Sequence, residues 1–395
     1  LRDSKNLKRL ERLFPNTLGE LIEHNNWYFH QGLEIKNYNS SSSLEPAPYL
    51  ADWEKINVNT KAIFPGISRS TFRFAIPPNT LSLIPKECHF TRKGRSRPFI
   101  LAEAPHLLIK AASGDCIYSD DNFVIPHPQI GIAANKADAD YLRAISTILN
   151  SSIVKYFLFF KSPSWGVGRS RVYMKDLRAV PLPRLSADKI SELAQLQREL
   201  VQLEETTDIS DTLLQQSLDD KFEEILSVPK KIGIVAREFI SIRLQLNKGK
   251  SIVPATESSK EAELHKYGLS LRDELDTFTE GSDLQHRIRL TYSTQLIMCL
   301  VEFVHSDDSH AIDVTIEKGQ GDLSTLLNSI QEKTKQKFSQ WVYVQRSLRI
   351  FDSSQVYICK SPRLIDWTRT QALNDADDII AEILSANRAL QEAVR

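Results

Sequence analysis

The chain has 395 residues, 41% hydrophobic and 25% charged, and its 50 lysines and arginines balance 50 aspartates and glutamates. This length allows two or three domains, each with a core of its own. A formal net charge of zero excludes a partner chosen by overall charge, so only the local distribution of charge is informative.

Four cysteines, Cys88, Cys116, Cys299 and Cys359, stand far apart without a CxxC pair. This argues against a disulfide framework or a zinc site and fits a reducing compartment. The chain opens at Leu1 without a basic-then-apolar signal segment, and the apolar stretches at 155–160 and 296–304 are too short to span a bilayer. A cytoplasmic protein with no membrane partner is therefore expected. The absence of an initiator Met suggests a piece of a longer protein.

Residues 1–26 predict two short helices. Leu7, Leu10, Leu13 and Phe14 share one face, and Thr17 is placed to cap a helix carrying Leu18, Leu21 and Ile22. A polar run at 37–43 followed by Pro46 and Pro48 reads as a loop. Short apolar runs at 72–76, 99–102, 107–111, 116–118, 123–125 and 130–134 predict a β-rich unit with irregular connections.

The pattern then becomes helical. Asp138 or Asp140 can cap a segment with Tyr141, Leu142, Ile145, Ile148 and Leu149. A second segment, with Val154, Phe157, Leu158 and Phe160, follows Asn150-Ser151-Ser152. After a Gly/Ser/Arg-rich loop and Val172-Tyr173-Met174 comes Val180-Pro181-Leu182-Pro183, which the prolines restrict to an edge strand or an exit from the domain.

Residues 186–226 predict a long helix with Ile190, Leu193, Leu196, Leu200 and Leu203 at helical spacing and eleven acids opposed only by Lys189, Arg198 and Lys221. A helix at 229–247 leads into a polar linker. The last third reads as α+β. It has apolar runs at 288–292, 296–304 and 312–316, a helix at 322–337, and strands at 341–344 and 356–359. A C-terminal helix is begun by Asn374 or Asp375. No internal repeat of fixed period is present. The expected class is α+β.

Two clusters of cations carry the strongest chemical signal. Arg92, Lys93, Arg95 and Arg97 fall within six positions without an acid. Between 155 and 184, Lys155, Lys161, Arg169, Arg171, Lys175, Arg178 and Arg184 are opposed only by Asp176. Local surpluses of this kind are the footprint of phosphate contacts, although a charge run is more often a solvated face. Arginines beside Gly and Ser can also approach guanine edges. Gly166-Val167-Gly168 resembles a phosphate-cradling loop but lacks the third glycine and a Lys-Ser/Thr, and it follows a helix rather than a strand. Trp165 can stack on a base or pin the loop to the core.

Several stretches together resemble adenine-specific DNA methyltransferases of restriction–modification and phage-defence systems with a TaqI-like specificity domain. The middle match comprises Asp140-Tyr141-Leu142, Ile148-Leu149-Asn150-Ser151, Phe157, Ser162-Pro163-Ser164-Trp165-Gly166, Tyr173, Asp176-Leu177 and Val180-Pro181-Leu182-Pro183. The start, Leu13-Phe14-Pro15 and Leu18-Gly19-Glu20-Leu21-Ile22, is similar to the link leaving the catalytic domain. Asp366-Trp367-Thr368-Arg369 and 371–377 are similar to the C-terminal part of larger members.

The resemblance implies a helical link (1–26) and a target-recognition domain (27–184); the pattern alone divides the rest into a helical spacer (185–250), a linker (251–265) and a C-terminal α+β domain (266–395). It also implies double-stranded DNA as partner. Arg92, Lys93, Arg95 and Arg97 would form one arm on DNA. Lys161, Ser164, Trp165, Arg169, Arg171, Tyr173 and Lys175 would form the other.

Such enzymes need a Gly-rich loop for S-adenosylmethionine and an (Asn/Asp/Ser)-Pro-Pro-(Tyr/Phe) motif for the flipped adenine. Neither occurs here, since Pro77-Pro78 is flanked by Ile76 and Asn79. No catalytic, cofactor or metal residues are therefore expected in this chain. The cofactor belongs to a catalytic methyltransferase domain elsewhere in the polypeptide or complex, and the chain alone is expected to be inactive. The alternative is a separate specificity subunit or protein-interaction scaffold of a restriction or defence complex.

Weaker signals have blander readings. The segment 305–310, with His305 and His310, reads as a hairpin loop before a metal site. Asp313, Glu317 and Lys318 evoke a metal-dependent nuclease, but neighbours in a strand face opposite sides. Asn374, Asp375, Asp377 and Asp378 read as the acidic start of a helix.

Overall fold

The structure, a computed structural model, describes residues 2–37, 61–62, 73–76, 82–83, 88–91, 98–162, 171–206, 209–246, 253–305, 314–319, 347–352 and 354–393. It has the α+β class expected from the sequence, in two units, Leu1–Arg237 and Glu238–Arg395. Among the described residues, no helix is long and apolar enough to cross a membrane.

Unit 1 opens with α1 (Arg2–Leu13), whose Leu10 is buried together with Phe14. Thr17 then ends a two-residue strand β1 (Asn16–Thr17) and caps α2 (Leu18–His24). Its hydroxyl accepts from Glu20 N at 3.2 Å while the Glu20 carboxylate accepts from Thr17 N at 2.8 Å, a reciprocal capping box.

The strands that follow are β2 (Tyr28–Gln31), β3 (Glu34–Asn37), β4 (Lys61–Ala62), β5 (Ser82–Leu83), β6 (Cys88–Thr91), β7 (His106–Ile109), β8 (Cys116–Ser119), β9 (Phe123–Val124) and β10 (Ile130–Ala133). The largest sheet is antiparallel in the order β2-β10-β7-β8. Every residue of β7 and β10 is buried, so both read as continuous apolar runs rather than alternating ones. Smaller sheets pair β3 with β6 and order β5-β4-β9.

Two predicted strands are absent. The run at 99–102 is a 3-10 turn, Pro98–Ala102. Residues 73–76 form no ladder because the backbone N–H groups of Arg73, Phe74 and Ala75 donate to the Glu204 carboxylate instead.

Helix α3 (Ala139–Asn150) buries Leu142, Ile145, Ile148 and Leu149. Asp138 precedes it without capping it through its side chain, because that carboxylate accepts from Trp27 Nε1 at 3.0 Å. At its other end Asn150 imitates a strand: its Oδ1 accepts from Cys116 N at 2.9 Å and its Nδ2 donates to Cys116 O at 2.6 Å. Ser151 then caps α4 (Ser152–Lys161) by accepting from Val154 N. The Asn-Ser turn therefore ties two helices to the sheet edge.

After α5 (Met174–Arg178), the proline-bracketed run forms β11 (Pro181–Leu182), antiparallel to β1 alone. The acidic stretch divides into α6 (Ala187–Thr206) and α7 (Asp211–Ile225), the latter capped by Ser210. These helices, read above as a spacer, pack into unit 1: Leu196, Leu200, Leu214 and Leu218 surround Phe74. Most of their acids lie in solvent, but Asp219 is buried and accepts from Ser152 N and Oγ at 2.8 and 2.6 Å, and Glu204 turns inward to the backbone of Arg73–Ala75. The boundary between the units falls within α8 (Lys230–Glu238), after Arg237.

In unit 2, α9 (Glu261–Phe278) precedes a five-stranded sheet of β12 (Leu284–Tyr292), β13 (Ile297–His305), β14 (Val314–Lys318), β15 (Ser347–Asp352) and β16 (Gln355–Lys360), ordered β14-β12-β13-β16-β15. Only the β12–β14 pairing is parallel. The predicted helix at 322–337 and strand at 341–344 lie outside the described residues.

The C-terminal helix α10 (Arg369–Ala393) begins before Asn374, which corrects the expected start. Glu238 accepts from Arg369 N and Thr370 N, and the Thr368 hydroxyl accepts from Gln371 N, so the first turn already has acceptors for its free donors. Asp375 is consequently interior. It accepts from Tyr267 Oη at 2.8 Å and pairs with buried Lys360, whose ammonium also lies 5.2 Å from the Tyr267 and Trp367 rings. Asp378 pairs with Arg349.

Candidate nucleic-acid interface

Of the expected DNA-contacting residues, Lys161, Arg171, Tyr173 and Lys175 are described. Arg92, Lys93, Arg95, Arg97, Ser164, Trp165 and Arg169 lie outside the described residues.

The four described residues surround a buried clasp. At the end of α4, the Ser162 hydroxyl donates to Asp176 Oδ2 at 2.6 Å, and Tyr173 N also points to that oxygen at 3.4 Å. Ser162 and Asp176 are both buried. Asp176 occupies the third position of α5, where a carboxylate can serve the free donors of the first turn. One further bond fixes the returning chain: Val172 N donates to Ala111 O at 2.8 Å. Ala111 N in turn donates to the side chain of buried Gln129 at 2.8 Å.

This frame leaves a polar and aromatic edge in solvent. Tyr173 is 41% exposed although its neighbour Val172 is buried. The Arg171 guanidinium stands 5.6 Å from the Tyr173 ring centre, and Lys175 is exposed on α5. A guanidinium held against an aromatic face loses conformational freedom. Lys161 is half-exposed and bridges to Glu11 of α1 at 2.8 Å.

The remaining cations of this segment divide in two. Arg184 is exposed. Arg178 bonds Glu23 at 2.8 Å and covers the Phe29 ring. Lys155 does not belong to a basic surface at all: it is buried, with Nζ 2.8 Å from Asp115 Oδ1, while Arg73 lies 4.0 Å from the same carboxylate. Burial pushes the Asp115 carboxyl upward, but Lys155 and Arg73 outweigh it and hold the group well below the usual carboxylate range. Burial likewise lowers Lys155, with Asp115 opposing. The positive surplus available to a ligand is therefore smaller than the sequence count suggests.

Gln129 was not singled out by its sequence, and Asp176 entered only as the acid opposing the cluster of cations and as part of the match Asp176-Leu177. Asp176 has a local signal, the Tyr-x-x-Asp spacing at a helix start, whereas Gln129 has none. No metal or nuclease centre emerges: among the described residues no group of three or more His, Cys, Asp or Glu side chains could hold a metal. Glu317 and Lys318 are both exposed on β14, and Asp313 and His310 lie outside the described residues. Neither 134–138, between β10 and α3, nor 183–186, between β11 and α6, contains the glycines that a nucleotide-binding strand-to-helix turn requires. Neither a protein-family model nor a curated protein matches the chain.

Proposed function

We propose that the chain is the sequence-specific DNA-recognition portion of an adenine-specific DNA methyltransferase of restriction–modification or phage-defence type, working in the cytoplasm. Methyl transfer and S-adenosylmethionine belong to a catalytic domain elsewhere in the same polypeptide or complex. The motif resemblance motivates the enzyme class. The observation that carries DNA binding is the Arg171–Tyr173–Lys175 edge, with Tyr173 and Lys175 exposed and Arg171 half-buried, anchored by the Ser162–Asp176 clasp.

On this reading Arg171 offers a planar fork to a phosphate or a guanine edge, and Lys175 offers a point charge to a phosphate. Tyr173 supplies a ring that a sugar or an unstacked base can cover. Rigid stems set the register, and base readout comes from side chains projecting beyond them.

The test is Arg171→Ala combined with Lys175→Ala in the whole chain. Duplex affinity should fall and its salt dependence should flatten, in a variant whose circular dichroism and melting show it folded. Unaltered affinity and salt slope would remove this edge from the interface.

A further inference from the structure

Helix α1 carries five cations, Arg2, Lys5, Lys8, Arg9 and Arg12, against two acids, Asp3 and Glu11. Lys5, Lys8, Arg9 and Arg12 are spaced i, i+3, i+4 and i+7, so they line one face of the helix. All four are exposed, and among the described residues none pairs with a carboxylate. The opposite side of α1 faces the core through Leu10, 1% exposed, and the following Phe14, 2% exposed. Glu11 is engaged away from the stripe, since its carboxylate bonds Lys161 at 2.8 Å. Through that bond the stripe adjoins the last residue of α4. The next residue, Ser162, is clasped to Asp176, the neighbour of Lys175 in sequence.

We propose that α1 is a second, sequence-independent contact to the phosphate backbone of double-stranded DNA. Identification of the ligand rests on the DNA-recognition reading above. Positions 5 to 12 extend about 10 Å along the helix axis. Duplex DNA presents a charge roughly every 1.7 Å of its axis, so the stripe spans several phosphates. The stripe consists of cations alone, the residues that add affinity and orientation through phosphate contacts. A membrane surface fits less well. An interfacial helix must lay an apolar face into the lipid, and the apolar face of α1 is already committed to the protein core.

The test compares the whole wild-type chain with Lys5→Gln/Lys8→Gln/Arg9→Gln/Arg12→Gln, since Gln keeps good helix propensity. Circular dichroism and melting confirm the fold. Both proteins are titrated onto one duplex between about 50 and 200 mM salt, and onto anionic phosphatidylserine vesicles. The quadruple variant should lose about 3 units of the log–log salt slope and at least about tenfold in affinity at the lower salt. Its preference among duplex sequences should be unchanged. Glu11→Gln, which frees Lys161, should tighten duplex binding. An unchanged slope and affinity in a folded quadruple variant would overturn the α1 contact. If Arg171→Ala/Lys175→Ala still weakens binding in that case, the recognition reading stands without it. Vesicle binding abolished by the quadruple variant, with duplex binding intact, would overturn the choice of DNA as ligand. A wild-type chain that binds no duplex at low salt overturns both readings together.

Discussion

The Ser162 hydroxyl donates a 2.6 Å hydrogen bond to the Asp176 carboxylate, joining the end of one helix to the first turn of the next. Both residues are buried, so the bond fixes where the chain leaves α4 relative to where it enters α5. Arg171 and Tyr173 take their positions from that junction.

Ser162→Ala leaves the buried Asp176 Oδ2 with only the longer bond from Tyr173 N at 3.4 Å. The substitution should destabilise the chain by roughly 1–3 kcal/mol in urea unfolding. It should also raise amide hydrogen exchange at residues 172–176. Unchanged exchange there would show that the clasp does not order this edge.

Lys155 and Asp115 form an ion pair with 10% and 15% of their side chains exposed. Lys155→Ala removes the cation nearest to Asp115, which should cost about 3 kcal/mol. Lys155→Met combined with Asp115→Leu should recover most of that loss, because an apolar pair needs no desolvation. Denaturant midpoints for the single and double variants decide the matter. A double variant no better than the single would show that the pair contributes more than mutual neutralisation.

His106 is fully buried beside Phe123, and burial lowers its pKa to about 4 despite the 2.5 Å contact of Nδ1 with Leu101 O. The unfolded chain takes up this proton below about 6.5. The folded chain resists until about 4. The contribution of His106 to stability is therefore complete above pH 6.5 and lost progressively as the pH falls toward 4, by on the order of 3 kcal/mol. The difference between wild type and His106→Gln, followed by unfolding across this range, isolates the effect. A pH-independent difference would contradict it.

Legibility in the sequence followed the range of the interactions. Thr17 with Glu20, Ser151 before α4, and the apolar spacing of α3 are local patterns, so caps and helices could be anticipated from neighbours in the chain. The strand at 73–76 failed because Glu204, 129 to 131 residues away, takes its backbone donors. The start of α10 was displaced for the same reason, since Glu238 supplies the acceptor. Lys155 is the instructive case for the site. It sits among Ile153, Val154, Tyr156, Phe157 and Leu158, and a lone charge in such a run signals burial. Counted merely as a cation, it inflated the basic surface. Its partner Asp115, 40 residues away, has no sequence signature. The exposed edge at 171–175 was legible because charge and aromatic side chains adjoin in sequence, while the clasp beneath it depends on Ser162 and Asp176 meeting across 14 residues.

The most direct test of the account is titration of the purified whole chain onto double-stranded DNA over a salt series. Binding is expected at low salt, with a log affinity that falls linearly with log salt and a slope near −0.9 for each phosphate contacted. Absence of binding at low salt, or binding indifferent to salt, would contradict it.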